Sequence, residues 1–465
     1  MMMIKITTRV LGQETAKAVK SVQKILTRFP DHGVVDVFSA YPIRDVMASV
    51  LALAGLQRAA NYYYHAQEHN NNDNNDNDSM ASLRRKRQPD LVENVDFLDD
   101  LSRYAIFATA AYGWTAGLAL SGRLHLGDLE LLVSKAGLEK EDVIATQWKS
   151  KTHRPAFFLV RDAKRKNIVL CIRGTMSARD VLTDLCCTFD EFEADDAPES
   201  YDRDSMTTRV MNSLRSSSSS SSSSSKGQQR RKAHQGMLES ARGVSNAVKK
   251  IIAKELAAHP DYSLVIVGHS LGGGTAAVLA ALWKNTFRNL KVYAYGVPCV
   301  GPLNACPTLA DNIFSVVGEG DPFACLSLGH VADISNAISR LCTDAELRQN
   351  ILQRTTNSAS AAAMKQEDLS WCYETLESIR ESSMTAEKCY PPGRIMYMGG
   401  GNMFGGAAAA GDVSLREVDR KMFREMTLHP FMFDLSRHVP TRYEAALHRI
   451  WTNRLAQQEE EEKEE

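Results

Sequence analysis

The sequence predicts an α/β protein with a mostly parallel central sheet covered by helices. Short apolar runs rich in β-branched residues alternate along the chain with stretches of helical spacing, and this alternation is typical of that class. A helix is predicted where Ala241, Val244, Val248 and Ile251 recur at helical spacing, just before a strand. The predicted strands are Phe157–Val160, Ile168–Ile172, Leu264–Val267, Lys291–Tyr295 and Ile313–Val317.

The strand Leu264–Val267 ends in a turn that carries a candidate nucleophile. Residues 264–275 read LVIVGHSLGGGT, and an apolar helical pattern follows from Ala276 to Trp283. A strand that becomes a helix so quickly bends sharply, and the glycines two before and two after Ser270 leave room for that bend. Ser270 is then presented at the tip, beside a helix N-terminus. The alternative, a glycine turn that cradles a phosphate, lacks the lysine of a phosphate loop.

A serine nucleophile needs a base, and the base needs an acid that orients it. Asp321 follows the strand Ile313–Val317, at the end of the sheet where catalytic groups of parallel strands gather. Glu319 is the nearby rival for the same role. The sequence therefore places the candidate acid after the candidate nucleophile.

The candidate base is His438, in a polar loop just before a predicted helix from Tyr443 to Trp451. His429 is the alternative, but it precedes Pro430 and an apolar run, which favours a packed side chain. The resulting chain order of serine, aspartate and histidine is that of the α/β-hydrolases.

Hydrogen-bond donors are also needed for the negative charge of a tetrahedral intermediate. The strand Ile168–Ile172 ends in an Arg-Gly-Thr sequence, and residues 177–185 are predicted to form a helix. Thr175 and the backbone N–H of Leu271, the residue after the candidate nucleophile, are the predicted donors. A plain strand-to-helix turn at residues 173–175 is the alternative.

Composition limits the classes of protein that fit. The 465 residues are 44% hydrophobic, enough for a large core, and the net charge of -1 gives no reason to expect nucleic acid as a partner. Nine cysteines without C-x-x-C spacing favour reduced thiols in an intracellular compartment. The longest apolar run, Val46 to Leu56, falls short of the roughly 18 residues that cross a bilayer. The basic first 28 residues resemble a transit peptide in charge but are poor in serine.

Low-complexity stretches divide the chain. An Asn/Asp-rich run at residues 70–78 and a basic run at 84–87 predict a solvated linker that closes a helical N-terminal region, residues 1–90. The main domain is expected at 91–456, followed by an acidic tail at 457–465. An uninterrupted serine run, Ser216–Ser225, predicts a disordered loop inside the main domain.

Five stretches around these candidates occur in the order found in one family. They are IRGTMSARDVLTDL, HQGMLESAR, GHSLGGGTAAVLA, VVGEGDPFACLSL and SRHVPTRYEAAL. Together with LSRYAIFATAAYGW at 101–114, they resemble the class 3 lipases, and in particular their diacylglycerol lipase-like branch. The resemblance spans about residues 91–455.

The resemblance implies an α/β-hydrolase that cleaves acyl esters of glycerolipids, with Ser270, Asp321 and His438 as triad and Thr175 as oxyanion residue. It also implies a lid at about 186–233, which here carries the serine run, and leaves room for an insertion at about 330–428. Hydrolysis of diacylglycerol at the sn-1 position is the expected activity. A phospholipase A1, another carboxylesterase and a non-catalytic lipid-binding relic are the alternatives.

The expected partners follow from that activity. They are a glycerolipid substrate and the surface of a membrane or lipid droplet, contacted peripherally from the cytoplasm. Neither a metal nor an organic cofactor is expected, and organellar targeting is the less favoured alternative.

Overall fold

A twisted sheet lies at the centre of the computed structural model, which describes residues 35–72, 90–113, 127–151, 153–175, 189–194, 231–304, 312–356, 360–400, 413–428 and 435–464. Its strands, with those of two smaller pairs in the described ranges, are β1 (Asp90–Leu91), β2 (Val143–Gln147), β3 (Phe157–Asp162), β4 (Asn167–Ile172), β5 (Phe189–Phe192), β6 (Arg231–His234), β7 (Ser263–His269), β8 (Leu290–Tyr295), β9 (Gly301–Pro302), β10 (Ile313–Gly318), β11 (Cys389–Tyr390), β12 (Arg394–Gly400) and β13 (Val413–Val418). The helices are α1 (Val37–Ala40), α2 (Ile43–Asn72), α3 (Val95–Ala110), α4 (Asp128–Ala136), α5 (Gln235–Ala258), α6 (Leu271–Leu282), α7 (Leu328–Thr343), α8 (Ala345–Thr356), α9 (Gln366–Ser383) and α10 (Pro440–Glu464).

The central sheet has the order β1-β13-β12-β10-β8-β7-β4-β3-β2 among the described strands. Strands β4, β7, β8, β10 and β12 run parallel, which brings their carboxyl ends to one edge. Strands β2 and β3 at one side, and β13 and β1 at the other, are antiparallel. The five predicted strands all lie in this sheet, and the predicted α/β-hydrolase class is confirmed.

Helices cover both faces of the sheet because its strands present apolar side chains to either side. Ile168, Leu170 and Ile266 face the layer of α5 and α6. Val169 and Val267, at alternate positions, face the layer of α3 and α10. The helix predicted from apolar spacing is α5, but Ile251 is 36% exposed and the neighbouring Ile252 is fully buried instead. An α-helix has 3.6 residues per turn, so the position that faces the core shifts gradually around a helix of this length. Here the buried position falls on Ile252 rather than on Ile251.

A second packing unit lies beside the sheet. Helix α2 packs against α7, α8 and α9 around residues such as Leu53, Leu56, Ile338 and Leu376. Arg348 Nη2 lies 3.1 Å from Asp45 Oδ1 across this contact. The N-terminal helical region therefore shares a core with residues far along the chain.

The interval expected to hold an insertion, about 330–428, divides in two. Helices α7 to α9 form the helical unit, whereas β12 and β13 belong to the central sheet. The chain outside the sheet therefore runs from α7 to the end of α9. The acidic end is also part of a helix, because α10 continues to Glu464.

Other expectations fall on residues that the structure does not describe. Of the lid interval 186–233, the described residues form the antiparallel pair β5 and β6, with Phe189 opposite His234. The serine run, the helix at 177–185 and His429 lie outside the described residues. Among the helices that are described, none is both long and apolar enough to span a lipid bilayer.

Candidate active site

The turn at Ser270 has the sharp geometry that its sequence predicts. Strand β7 ends at His269, α6 begins at Leu271, and Ser270 between them has φ 58° and ψ -133°. A non-glycine residue with positive φ is strained, and such strain is held only where the surroundings fix it. Here the Ser270 N–H donates to Tyr295 O at 2.9 Å, and Gly273 N–H donates to Ser270 O at 2.9 Å.

The glycines of this turn are required by close backbone approach. A Cβ on Gly272 would stand 2.2 Å from Ile172 O and 2.9 Å from Gly174 N. A Cβ on Gly268 would stand 2.4 Å from Gly272 O. The turn is therefore pressed against both its own helix and the end of β4, as the spacing of the motif predicts.

His438 connects the nucleophile turn to the acid. It is the last residue of a one-turn 3-10 helix, Leu435–His438, that precedes α10. Its Nε2 lies 2.8 Å from Ser270 Oγ, and its Nδ1 lies 2.7 Å from Asp321 Oδ2. A carboxylate only accepts hydrogen bonds, so Nδ1 carries the proton and Nε2 accepts from the serine hydroxyl. The three side chains form a continuous hydrogen-bonded line.

Asp321 is the carboxylate that His438 contacts, and Glu319 points elsewhere. Glu319 Oε2 accepts the Gly400 N–H at 3.3 Å, on the neighbouring strand β12. Asp321 Oδ1 accepts the Phe323 N–H at 3.0 Å, at the start of a short 3-10 helix. The two acids lie two residues apart in the chain, and only the structure separates their positions.

Burial by itself would raise the pKa of Asp321, whose side chain is 1% exposed. The facing His438 and the hydrogen bonds to His438, Tyr443 and Phe323 N outweigh that cost and hold the pKa below its ordinary value. Asp321 is therefore ionised when the imidazole beside it is neutral or charged. An ionised acid is what stabilises an imidazolium in a triad.

The predicted oxyanion residues lie on the two segments that meet at the turn. Leu271 is the first residue of α6, where backbone N–H groups have no partner within the helix. Thr175 directly follows Gly174 at the end of β4, and a Cβ on that glycine would stand 3.0 Å from Ser270 Cβ. Both residues are therefore adjacent to the nucleophile turn.

Two residues around the triad were not predicted. Tyr443, in the first turn of α10, donates from Oη to Asp321 Oδ2 at 2.5 Å and accepts the Gly318 N–H at 2.9 Å. The Phe323 ring packs on the His438 ring with centroids 4.2 Å apart. Tyr443 lies five residues after His438, and a buried tyrosine so close to a candidate base was the available signal.

Replacing Tyr443 by phenylalanine should lower kcat about tenfold and leave a measurable enzyme. Asp321 would lose one donor, and a hydrogen bond to a charged group contributes roughly 1.5–3 kcal/mol, while the His438 and Phe323 N bonds remain. The pKa of Asp321 should rise as well. Because its folded pKa is depressed, its contribution to stability is present above the ordinary carboxyl range and is lost as the pH falls; the variant should therefore unfold at higher pH in an acid titration.

Tyr293→Phe is the matched control for this change. Tyr293 is also a buried tyrosine that donates to a carboxylate, Asp100 Oδ2 at 2.9 Å, but Asp100 lies on α3 and is not part of the triad. It should lose stability and keep kcat. Equal kcat losses in both variants would show that Tyr443 does not act through Asp321.

Part of the chain that holds this site is similar to a known protein family. Residues 169–329, which include most of β4, the nucleophile turn and Asp321, match the family model described as lipase (class 3). This part of the chain is similar to the class 3 lipases. The matched segment ends before His438, which the structure brings next to Ser270 and Asp321.

Named relatives of the chain agree with the expected branch. Diacylglycerol lipase-beta of Mus musculus is 24% identical over 426 residues, covering 79% of this chain and 59% of that protein. Diacylglycerol lipase-alpha of Rattus norvegicus is 25% identical over 262 residues, covering 47% of this chain and 22% of that protein. The chain thus spans less than two thirds of the length of these relatives. They confirm the resemblance to the diacylglycerol lipase-like branch.

A solved structure of Rhizomucor miehei triacylglyceride lipase is similar at a lower level. It is 21% identical with a TM-score of 0.36, and the alignment covers 51% of this chain and 77% of the other. The fold of the chain is assigned from its own sheet order and from the helices that connect the parallel strands.

Proposed function

We propose that the chain is a serine lipase that hydrolyses acyl ester bonds of glycerolipids. The observation that carries this proposal is the hydrogen-bonded line from Ser270 through His438 to Asp321, at the carboxyl ends of parallel strands. The similarity to the class 3 lipases supports ester hydrolysis, and the names of the relatives support diacylglycerol as substrate. The sn-1 position is the finer part of the proposal, taken from the resemblance of the motifs.

In the first half of the reaction, Ser270 Oγ attacks the ester carbonyl while His438 Nε2 takes its proton. The carbonyl oxygen becomes negatively charged, and the Leu271 N–H and Thr175 donate to it. The tetrahedral intermediate then collapses. The bond to the glycerol oxygen breaks, His438 returns the proton to that oxygen, and the acyl group stays on Ser270.

In the second half, water replaces the glycerol alcohol. His438 Nε2 takes a proton from the water as its oxygen attacks the acyl carbonyl, and the same donors stabilise the new oxyanion. The bond to Ser270 Oγ breaks, the serine regains its proton from His438, and a fatty acid leaves. Asp321 keeps the imidazole in one tautomer through both halves. Such a substrate is presented by a lipid surface, so we propose peripheral contact with a membrane or lipid droplet from the cytoplasm.

Two measurements on the purified chain test the proposed function. A fluorophosphonate probe labels only an activated serine, so it should modify Ser270 and a digest should locate the label there. A panel of long-chain diacylglycerol, a diacyl phospholipid and a short-chain soluble ester then separates the substrate classes. Diacylglycerol should be hydrolysed fastest.

A different order of substrates, or absence of labelling, would contradict the proposal in a specific way. Faster hydrolysis of the phospholipid would replace the proposal by a phospholipase A1, and faster hydrolysis of the soluble ester by an esterase. Absence of labelling in a folded chain would leave a non-catalytic lipid-binding protein and overturn the proposal.

A further inference from the structure

His269, the residue before the nucleophile, makes hydrogen bonds with both ring nitrogens. Its Nε2 lies 2.7 Å from the backbone oxygen of His438, and its Nδ1 lies 2.7 Å from Tyr112 Oη. A carbonyl oxygen only accepts, so Nε2 carries a proton. Burial of the 2% exposed side chain, together with the nearby His438, lowers the pKa of His269 to about 3. The ring is therefore neutral, Nδ1 is an acceptor, and the Tyr112 hydroxyl donates to it.

Tyr112 brings a third segment into this contact. It follows the end of α3 and is buried, and its hydroxyl lies where a Cβ on Gly174 would stand 2.7 Å away. The same Cβ would stand 2.5 Å from His269 O. Burial raises the pKa of Tyr112, and the lowering effects of Arg173 and of a hydrogen bond from the Gly174 backbone are smaller. The phenol is therefore protonated and can donate.

The segments that meet here are those that carry the proposed chemistry. Gly174 precedes Thr175, His269 precedes Ser270, and the oxygen that accepts from His269 belongs to His438 itself. Gly296, at the end of β8, leaves the space for both rings: a Cβ there would stand 3.1 Å from His269 Nε2 and from His438 Nδ1. The pair Tyr112 and His269 thus contacts the end of β4, the nucleophile turn and the backbone of His438.

The backbone carbonyl of His438 accepts a hydrogen bond from a distant segment, the His269 ring. This carbonyl stands just before α10, and the Arg442 N–H, which lies four residues further on, donates to Val439 O instead. Asp321 holds the imidazole of His438, but the ring can reach Ser270 only if the backbone that carries it is also fixed. The His269 Nε2–H supplies that fixation.

We propose that Tyr112 and His269 are positioning residues, which hold the backbone of His438 and the end of β4 in register with the nucleophile turn. The inference rests on the proposed function, since it assigns no chemistry of its own. Neither residue touches the reacting atoms in the described contacts. Their effect should therefore appear in turnover, through the geometry of His438, and leave substrate binding alone.

Tyr112→Phe tests this, with Tyr104→Phe as matched control. Tyr104 is a buried tyrosine on α3 whose hydroxyl accepts from Asn167 Nδ2 at 2.8 Å, away from the triad. Tyr112→Phe should lower kcat about 10- to 100-fold with KM unchanged, because misplacement of a reacting group by about 1 Å can cost 10²-fold. Labelling by the fluorophosphonate should slow by the same factor. Tyr104→Phe should change the melting temperature only.

Substitutions of His269 separate positioning from general loss of stability, and His269→Gln is the conservative one. A glutamine amide can still donate toward the His438 oxygen, so this variant should retain more activity than His269→Phe. If the pair acts as one unit, Tyr112→Phe combined with His269→Phe should be no worse than His269→Phe alone. Losses that multiply would contradict the pair, and so would a Tyr112→Phe enzyme with unchanged kcat.

Failure of this inference is distinguishable from failure of the proposed function. An active parent with an unaffected Tyr112→Phe variant overturns the inference alone. A folded parent that neither labels nor hydrolyses esters overturns the proposed function and the inference with it. Should the His269 variants not fold, the comparison of Tyr112→Phe with Tyr104→Phe decides.

Discussion

Replacing Ser270 by alanine should leave a folded protein whose ester hydrolysis has fallen by about 10⁴-fold or more. The change removes only Oγ, which is the atom that His438 Nε2 contacts and the atom that would carry the acyl group. No neighbouring hydroxyl replaces it in the described site, so the covalent route is closed. Rates with diacylglycerol dispersed in detergent, together with fluorophosphonate labelling, measure the effect.

Ser315→Ala is the control for this substitution. Ser315 is a fully buried serine of β10 that donates from Oγ to Pro392 O at 2.6 Å, inside the sheet. Its loss should lower the free energy of unfolding by about 1 kcal/mol and leave turnover unchanged. Activity of Ser270→Ala within about tenfold of the parent would overturn the assignment of the nucleophile and with it the proposed mechanism.

His438→Ala should have an effect of the same order, on the order of 10⁴- to 10⁶-fold in kcat, because members of a triad act as a unit. The reason is geometric: one imidazole contacts both Ser270 Oγ and Asp321 Oδ2. Labelling by the fluorophosphonate should be lost together with turnover. A buried Asp321 without its partner also loses an interaction that lowers its pKa, so the variant should be less stable at acid pH.

His429→Ala is the informative comparison, because His429 was the rival base in the sequence. It should lose stability before activity. His259→Ala adds a reference that should keep its activity, since the His259 ring contacts Glu255 O at the end of α5 and the neighbouring Tyr262 ring. Loss of labelling in His429→Ala with retention in His438→Ala would move the base to His429.

Features of the fold could be predicted from the sequence where a short segment determines its own backbone conformation. The G-x-S-x-G turn could be predicted from five consecutive residues. A side chain at Gly268 or Gly272 would collide with the backbone, so the glycines themselves indicate the turn. The parallel strands could be predicted because strands buried on both faces are apolar throughout. The buried side of α5 was placed less well, since Ile251 and Ile252 are equally apolar and only the twist of the helix separates them.

Contacts between distant segments were beyond that kind of reasoning. Asp321 and Glu319 follow the same strand, and what separates them is the loop geometry that turns Asp321 toward His438. In the sequence, nothing distinguishes Tyr443 and Tyr112 from other tyrosines in or beside predicted helices. Their hydrogen-bond partners, Asp321 and His269, lie 122 and 157 residues away. Pairing across such distances is fixed by the assembled sheet, which a single sequence does not display.

The packing of α2 against α7, α8 and α9 has a consequence for the order in which the chain can fold as it is made. Arg58 Nη2 donates to Thr355 O at a separation of 297 residues, and the apolar face of α2 is covered by helices that end only at Ser383. A ribosome adds roughly 5–20 residues per second, so α2 waits on the order of 15–60 s for its partners. The nucleophile strand β7 and its neighbours β4 and β8 leave the ribosome after α2 but before α7, α8 and α9. Helix α2 therefore joins the native structure late, although it is synthesised early, and its apolar face stays without its native cover in the meantime.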